Sequence, residues 1–284
     1  MYTESMVREA LALAYSTLKL IDAYDDARQT VNLGSGFGDP VNDTEINADR
    51  QIGDALIGFL KRCAVSEIWA EGFSPVENPT YTNGLRVFID PLDGSLNFLR
   101  SKGNIALPYT SVISVTRPVG STLIFGNILA SGVVDLRTNE VWYAEKGKGV
   151  AFSIYGQRVE ANGRKVLDLG MGVVIGEFYY PENRRLLMDV FPEKGWLRNC
   201  GSAAYEMMLV ASGVADAYVC DRQKNHELGA GYLAVTEAGG AALDFDGNDL
   251  GLTVYDFNAQ TPVVLGATKE IALEIVERIK KARN

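Results

Sequence analysis

The chain has little of what soft-metal or disulfide chemistry requires: one histidine, His226, and three cysteines, Cys63, Cys200 and Cys220, with no CxxC pair. An odd set of widely spaced thiols argues against a disulfide frame and a structural zinc site, and points to a reduced, cytoplasmic setting. No run of about 18 apolar residues is present, which leaves no candidate for a membrane-spanning helix. The opening MYTESMVREALALAYSTL carries acidic residues and helical periodicity where a secretory signal would have a basic flank and an apolar block. Positive charge is also short, at 27 Lys and Arg against 36 Asp and Glu, for a net charge of -9. Without a cluster of basic residues, a non-specific nucleic-acid surface is excluded, so no nucleic-acid partner is expected. Internal repeats and low-complexity tracts are absent.

What is present is a chain of 284 residues, 47% apolar, enough for one large domain or two closely packed halves. Leu11, Ala14, Tyr15, Leu18 and Ile21 recur at helical spacing and predict a helix from Thr3 to Arg28. A second helix is expected from Asn47 or Asp49, with Ile52, Leu56, Phe59 and Cys63 on its buried stripe. From Leu85 to about Ala151 the pattern changes to short β-rich runs separated by Gly, Pro, Asn and Asp. Beyond Phe152, helices at Glu182 to Val190, Ser202 to Ser212, Glu227 to Ala238 and from Thr268 onward alternate with strands, giving a layered α/β half. The last helix is expected to carry the i,i+4 ion pairs Glu274 to Arg278 and Glu277 to Lys281. The division therefore falls between residues 1–151 and 152–284.

Two glycine-rich stretches invite the wrong reading. Gly34 to Asp39, GSGFGD, has GxGxG spacing and follows a helix, so it lacks the strand context of a dinucleotide fingerprint. Glu145 to Gly149, EKGKG, lacks the spacing of a P-loop.

The informative segment is Ile89-Asp90-Pro91-Leu92-Asp93-Gly94-Ser95-Leu96-Asn97-Phe98, directly after the apolar strand Val87 to Ile89. Two aspartates three apart at a strand end, with Pro91 stiffening the turn and Gly94 freeing the backbone, can present both carboxylates toward one point. Hard divalent cations take such oxygen ligands. If Ser95 opens a helix, the Gly94 and Ser95 N–H groups face the same point and can hold a phosphate oxygen.

DPLDGSLNF resembles the DPxDG[ST]xNF signature of the inositol monophosphatase and fructose-1,6-bisphosphatase superfamily. Further segments match in the family's order: Asp43 to Asp49, Ile68-Trp69-Ala70-Glu71-Gly72, Glu145 to Gly149, Gly201-Ser202-Ala203-Ala204, and Thr236-Glu237-Ala238-Gly239-Gly240. The resemblance implies a layered αβαβα sandwich, its N-terminal α+β half built on a largely antiparallel sheet and its C-terminal α/β half on a mixed one. It implies a homodimer holding two or three Mg2+ ions, most of their ligands in the first half. Glu71, Asp90, Asp93, the Leu92 carbonyl and Glu227 would ligate metal. Asp43, Ser95 and Glu71 would be catalytic, with Asp43 and Ser95 polarising the attacking water. Asp93, Gly94, Ser95, Gly201, Ser202 and Ala203 would contact the substrate.

The sequence departs from the family pattern at several points. The family's Trp-Asp-x-Ala-Gly motif falls on His226-Glu227, so the downstream carboxylate is one methylene longer, and Asp221 is an alternative ligand. His226 stands at the tryptophan position, where packing or hydrogen bonding suits an imidazole better than magnesium does. The second Glu of the upstream Gly-Glu-Glu element is Gly72, and Cys220 stands where inositol phosphatases carry a sugar-contacting Glu. Arg222 and Lys224 lie nearby as candidate contacts for a second phosphate. The activity expected is Mg2+-dependent hydrolysis of a small phosphate monoester, an inositol monophosphate or related sugar phosphate, by metal-activated water. Fructose-1,6-bisphosphate or a nucleotide 3'-phosphate is the alternative substrate, and a non-catalytic phosphoester-binding protein the alternative class.

Overall fold

A computed structural model describes residues 3–23, 25–29, 46–102, 105–118, 122–154, 157–160, 172–178, 180–191 and 196–283. In chain order the elements are α1 (Thr3–Ile21), α2 (Asn47–Leu60), β1 (Val65–Ala70), β2 (Val76–Glu77), β3 (Leu85–Asp93), α3 (Ser95–Arg100), β4 (Thr110–Thr116), β5 (Ile128–Asp135), β6 (Val141–Glu145), β7 (Gly149–Ile154) and β8 (Gln157–Glu160). There follow β9 (Val173–Gly176), α4 (Pro181–Val190), β10 (Trp196–Arg198), α5 (Ala203–Ala211), β11 (Ala217–Lys224), α6 (Asn225–Glu237), β12 (Ala241–Leu243), β13 (Gln260–Gly266) and α7 (Lys269–Arg283).

The strands form two sheets. The first has eight, in the order β2-β1-β3-β4-β5-β6-β7-β8, antiparallel except where β1 runs parallel to β3. The second has five, in the order β10-β9-β11-β13-β12, with β9 parallel to both neighbours and the remaining pairs antiparallel. This is the expected α+β fold, with a largely antiparallel first sheet and a mixed second one.

Strand alternation sorts the apolar residues into layers, since successive side chains point to opposite faces. Val87 and Ile89 of β3 pack outward against Leu11, Ala14 and Leu18 of α1 and Ile52 and Leu56 of α2. Phe88, between them, faces a central layer holding Met207 of α5 and Leu228 and Leu233 of α6. The second sheet divides the same way: Tyr218 and Cys220 join the central layer, while Ala217 and Val219 pack under Leu187 of α4 and Ile275 and Val276 of α7. The order of layers is therefore helix, sheet, helix, sheet, helix.

Helix α6 is buried along most of its length because it is covered on both sides. Its small residues permit this. A methyl group added at Gly231 would overlap the Met207 sulfur of α5 and lie 3.0 Å from Met207 Cβ and Cγ.

Helix α1 is shorter than its periodicity suggests, stopping at Ile21, and a separate 3₁₀ turn covers Asp25–Arg28. Asp22, just past the negative end of the helix dipole, is held by Arg28 at 2.5 Å. In α7, Arg278 pairs with Glu274 at 2.5 Å as expected, but Glu277 pairs with Lys280 at 3.4 Å, in place of Lys281.

Substituting Gly231→Val should overpack the central layer and lower the unfolding free energy by about 1–3 kcal/mol. Urea unfolding measures this, and a change below about 0.5 kcal/mol, the range of an unremarkable surface substitution, would contradict the packing described.

Candidate metal and phosphate site

The site begins where β1 and β3 run side by side. Their parallel register sets Trp69 beside Phe88 and Ala70 beside Ile89, and the Glu71 N–H donates to the Ile89 carbonyl at 3.0 Å. Trp69 and Phe88 both pack on Phe257 in the central layer, so the residues two farther along, Glu71 and Asp90, emerge toward the same layer. Asp90 is 1% exposed; its Oδ1 accepts from the Leu92 N–H at 2.9 Å, and its Oδ2 is buried with no hydrogen-bond partner.

Asp93 lies three residues on, which in a regular strand would send it to the opposite face. The strand does not end at Ile89, as the sequence suggests. It continues to Asp93 through a bulge: Asp90 pairs with Val112, but Asp93, not Leu92, pairs with Thr110. The extra residue returns Asp93 to the face of Asp90, while the Leu92 side chain packs into the outer core with α1 and α2. The Asp93 carboxylate then accepts from Ser202 Oγ at 2.6 Å, Thr110 Oγ1 at 3.1 Å, and the Ala204 and Ala203 N–H groups at 2.9 and 3.2 Å. It serves as the anion at the N-terminus of α5, locking the first sheet to the central helices.

The segment before α5 is fixed from two sides. The Asn97 side-chain amide donates to the carbonyls of Pro108, Cys200 and Gly201 at 2.7, 2.8 and 3.1 Å, while the Glu206 carboxylate accepts from the Cys200 and Gly201 N–H groups. Gly201 has φ 75°, and Gly94, which precedes α3, has φ 82°; both are turns of the hand that glycine adopts without strain.

The third contribution comes from the junction of β11 and α6. Lys224 ends β11, and α6 starts at Asn225, two residues earlier than its sequence pattern indicates, so His226 and Glu227 occupy its first turn. Lys224 Nζ reaches Glu71 Oε1 at 2.6 Å. His226 Nε2 lies 3.5 Å from Glu71 Oε2 and 3.9 Å from Glu227 Oε1. The other ring nitrogen, Nδ1, is 3.3 Å from the Phe257 carbonyl, and the imidazole packs on the Phe257 ring at 5.1 Å. Glu227 also accepts from the Gln223 side-chain amide.

Among the described residues, two sets of potential ligand atoms lie within 4.8 Å of one another: Glu71, Asp90 and His226, and Asp90, Asp93 and Glu227. Glu227, not Asp221, is thus the downstream carboxylate grouped with Asp90 and Asp93. Asp221 pairs with Arg222 at 3.3 Å.

Burial and mutual repulsion govern the charges. The Asp90 carboxyl is pushed well above its ordinary range by burial, then by Glu71, Glu227 and Asp93. Glu227 is likewise raised well above its range by burial and by Asp93, with Glu71 adding to the effect. Burial also raises Asp93, although its four hydrogen-bond donors work in the other direction. For Glu71 burial acts upward too, but Lys224 and His226 outweigh it and hold the carboxyl well below the usual range.

Of the residues singled out from the sequence, Asp43 and the Gly34–Asp39 loop lie outside the described residues. Ser95 opens α3 next to Gly94, and Cys220 is a buried member of the central core. Lys224 and His226 join the carboxylates more intimately than the sequence suggested. Their spacing from Glu227, three residues and one, is the signal: a strand ending at the first turn of a helix brings all three to one helix end.

The model of the "Inositol monophosphatase family" matches residues 3–282. A "Nus factor SuhB" of Pasteurella multocida is 31% identical over 242 residues, covering 82% of this chain and 83% of that protein. "Inositol monophosphatase 1" of Mus musculus is 30% identical over 217 residues, covering 74% and 73%. A "Fructose-1,6-bisphosphatase/inositol-1-monophosphatase" of Thermotoga maritima is 26% identical over 246 residues, covering 86% and 87%. Among solved structures, the extragenic suppressor protein suhB of Bartonella henselae superposes with a TM-score of 0.75 at 21% identity, covering 98% of each chain. With a matching family model across almost its whole length and two relatives at 30% identity or more, the chain belongs to the inositol monophosphatase family.

Proposed function

We propose that the chain hydrolyses a small phosphate monoester of a sugar or polyol, an inositol monophosphate or a related sugar phosphate, with Mg2+ held by Glu71, Asp90, Asp93, the Leu92 carbonyl and Glu227. The observation that carries the reading is the convergence of Asp90, Asp93 and Glu227, with Glu71 alongside, in a family of metal-dependent phosphatases. The residues fit a hard cation. They offer oxygen ligands, Asp90 Oδ2 is buried without a partner, and three of the acids are raised by burial and shared charge that a cation would offset.

Bound Mg2+ would supply positive charge to the phosphate oxygens and make an attacking water more acidic. The chain's own residues do the positioning. Asp43 and the Ser95 hydroxyl orient the water, and Glu71 acts with them as a catalytic carboxylate. Gly94 and Ser95, at the left-handed turn into α3, hold phosphate oxygens, and Asp93, Gly201, Ser202 and Ala203 contact the substrate. Asp93 also restrains the last two, because Ser202 and Ala203 both donate to it. The buried Cys220 cannot offer the anionic sugar contact of a glutamate, so substrates beyond inositol monophosphates, including fructose-1,6-bisphosphate and nucleotide 3'-phosphates, fall within the reading. A homodimer working in the cytoplasm completes it.

Three outcomes follow. Phosphate release from a panel of inositol monophosphate, fructose-1,6-bisphosphate and a nucleotide 3'-phosphate should require Mg2+, and Asp93→Asn should lower kcat/KM by at least about 100-fold, the upper range for disturbing a metal's supporting residues. Activity surviving both chelation and that substitution would overturn the proposal, and tight binding of sugar phosphates without turnover would favour a non-catalytic role. The third outcome concerns stability. An acid raised on folding favours the folded state less as pH climbs from about 4, its unfolded value, through its folded one. Asp90→Asn should therefore raise the Tm of the metal-free protein at pH 8 and weaken stabilisation by added Mg2+; an unchanged Tm and an undiminished Mg2+ response would contradict it.

A further inference from the structure

We infer that the Lys224 ammonium is a tethered competitor for metal at Glu71, so that the site loads in two unequal steps. The inference rests on the proposed reading of Glu71 and Asp90 as metal ligands. Lys224 Nζ sits 2.6 Å from Glu71 Oε1, a direct charge-assisted contact. The backbone end of the tether is fixed: Lys224 is registered against Gln260 of β13 and forms the N-cap of α6, and a four-carbon stem carries the ammonium from there. Burial disfavours its charge, yet Glu71 and Glu227 hold the ammonium well above the ordinary lysine range.

The ammonium satisfies only part of the cluster. Asp90 Oδ2 and His226 Nε2, each in a residue at most 2% exposed, remain without hydrogen-bond partners beside the same Glu71 carboxylate. A divalent ion bound there would face a positive charge on a shared ligand a few ångströms away, a repulsion that a half-buried setting screens poorly. Binding at Glu71 must therefore break the pair with Lys224. Among the described residues the set Asp90, Asp93 and Glu227 takes no direct ion pair from Lys224, whose charge acts on Asp90 and Glu227 only through space, so it loads at a smaller cost.

Mn2+ titration of the metal-free full chain, followed by electron paramagnetic resonance, tests this. The wild type should show one tighter and one weaker class of Mn2+. In Lys224→Met the weaker class should tighten by about tenfold, the change that about 1.4 kcal/mol of lost pairing produces, with a smaller effect on the tighter one. A readout on the wild type stands apart from folding of the variant: limiting acetylation and peptide mass spectrometry should show Lys224 becoming more reactive as Mn2+ fills the weaker class. Identical affinities in both proteins, or Lys224 labelling indifferent to Mn2+, would overturn the competition while leaving the metal site intact. If neither protein binds Mn2+, the metal reading fails and the inference fails with it.

Discussion

Four carboxylates, Glu71, Asp90, Asp93 and Glu227, share one largely buried cluster with one ammonium, Lys224. Like charges at such separations raise one another's pKa and oppose folding unless donors or cations answer them. The protein answers them unequally. Asp93 receives four donors, Glu71 an ion pair, and Glu227 an amide, while Asp90 keeps one buried oxygen unanswered. That residual imbalance suits a site for cations, which would answer the remaining oxygen.

The layered architecture delivers these groups from three places. Parallel pairing of β1 with β3 brings Glu71 beside Asp90; the bulge in β3 turns Asp93 to the same face; and the β11 to α6 junction lowers Lys224, His226 and Glu227 onto them. Asp93 has a second task, capping the N-terminus of α5 across the sheet-to-helix interface. On the proposed reading, chemistry and folding draw on the same side chain. A substitution there alters the pocket's charge and loosens the contact between the first sheet and the central layer together.

Much of this was legible in the sequence. The helical spacing of Leu11, Ala14 and Leu18, the β-rich block after Leu85, and the DPLDG segment each follow from local periodicity or turn chemistry, and the ordered motifs carried the family resemblance. Other features depend on distant partners. The bulge at Asp90 to Asp93 is a property of pairing with β4, so the segment read as a strand end with a turn. The central position of α6 leaves little trace in periodicity, because a helix covered on both sides need not keep a polar face. Lys224 looked like a candidate contact for a second phosphate, since only the meeting of β11 with β1's end turns its side chain into the acidic cluster.

The most direct measurement of the central claim is anomalous diffraction from a crystal of the chain soaked in Mn2+. The account predicts a peak enclosed by the Asp90, Asp93 and Glu227 carboxylates, joined at higher concentration by one beside Glu71. Carboxylates that remain grouped with no anomalous peak among them would contradict it.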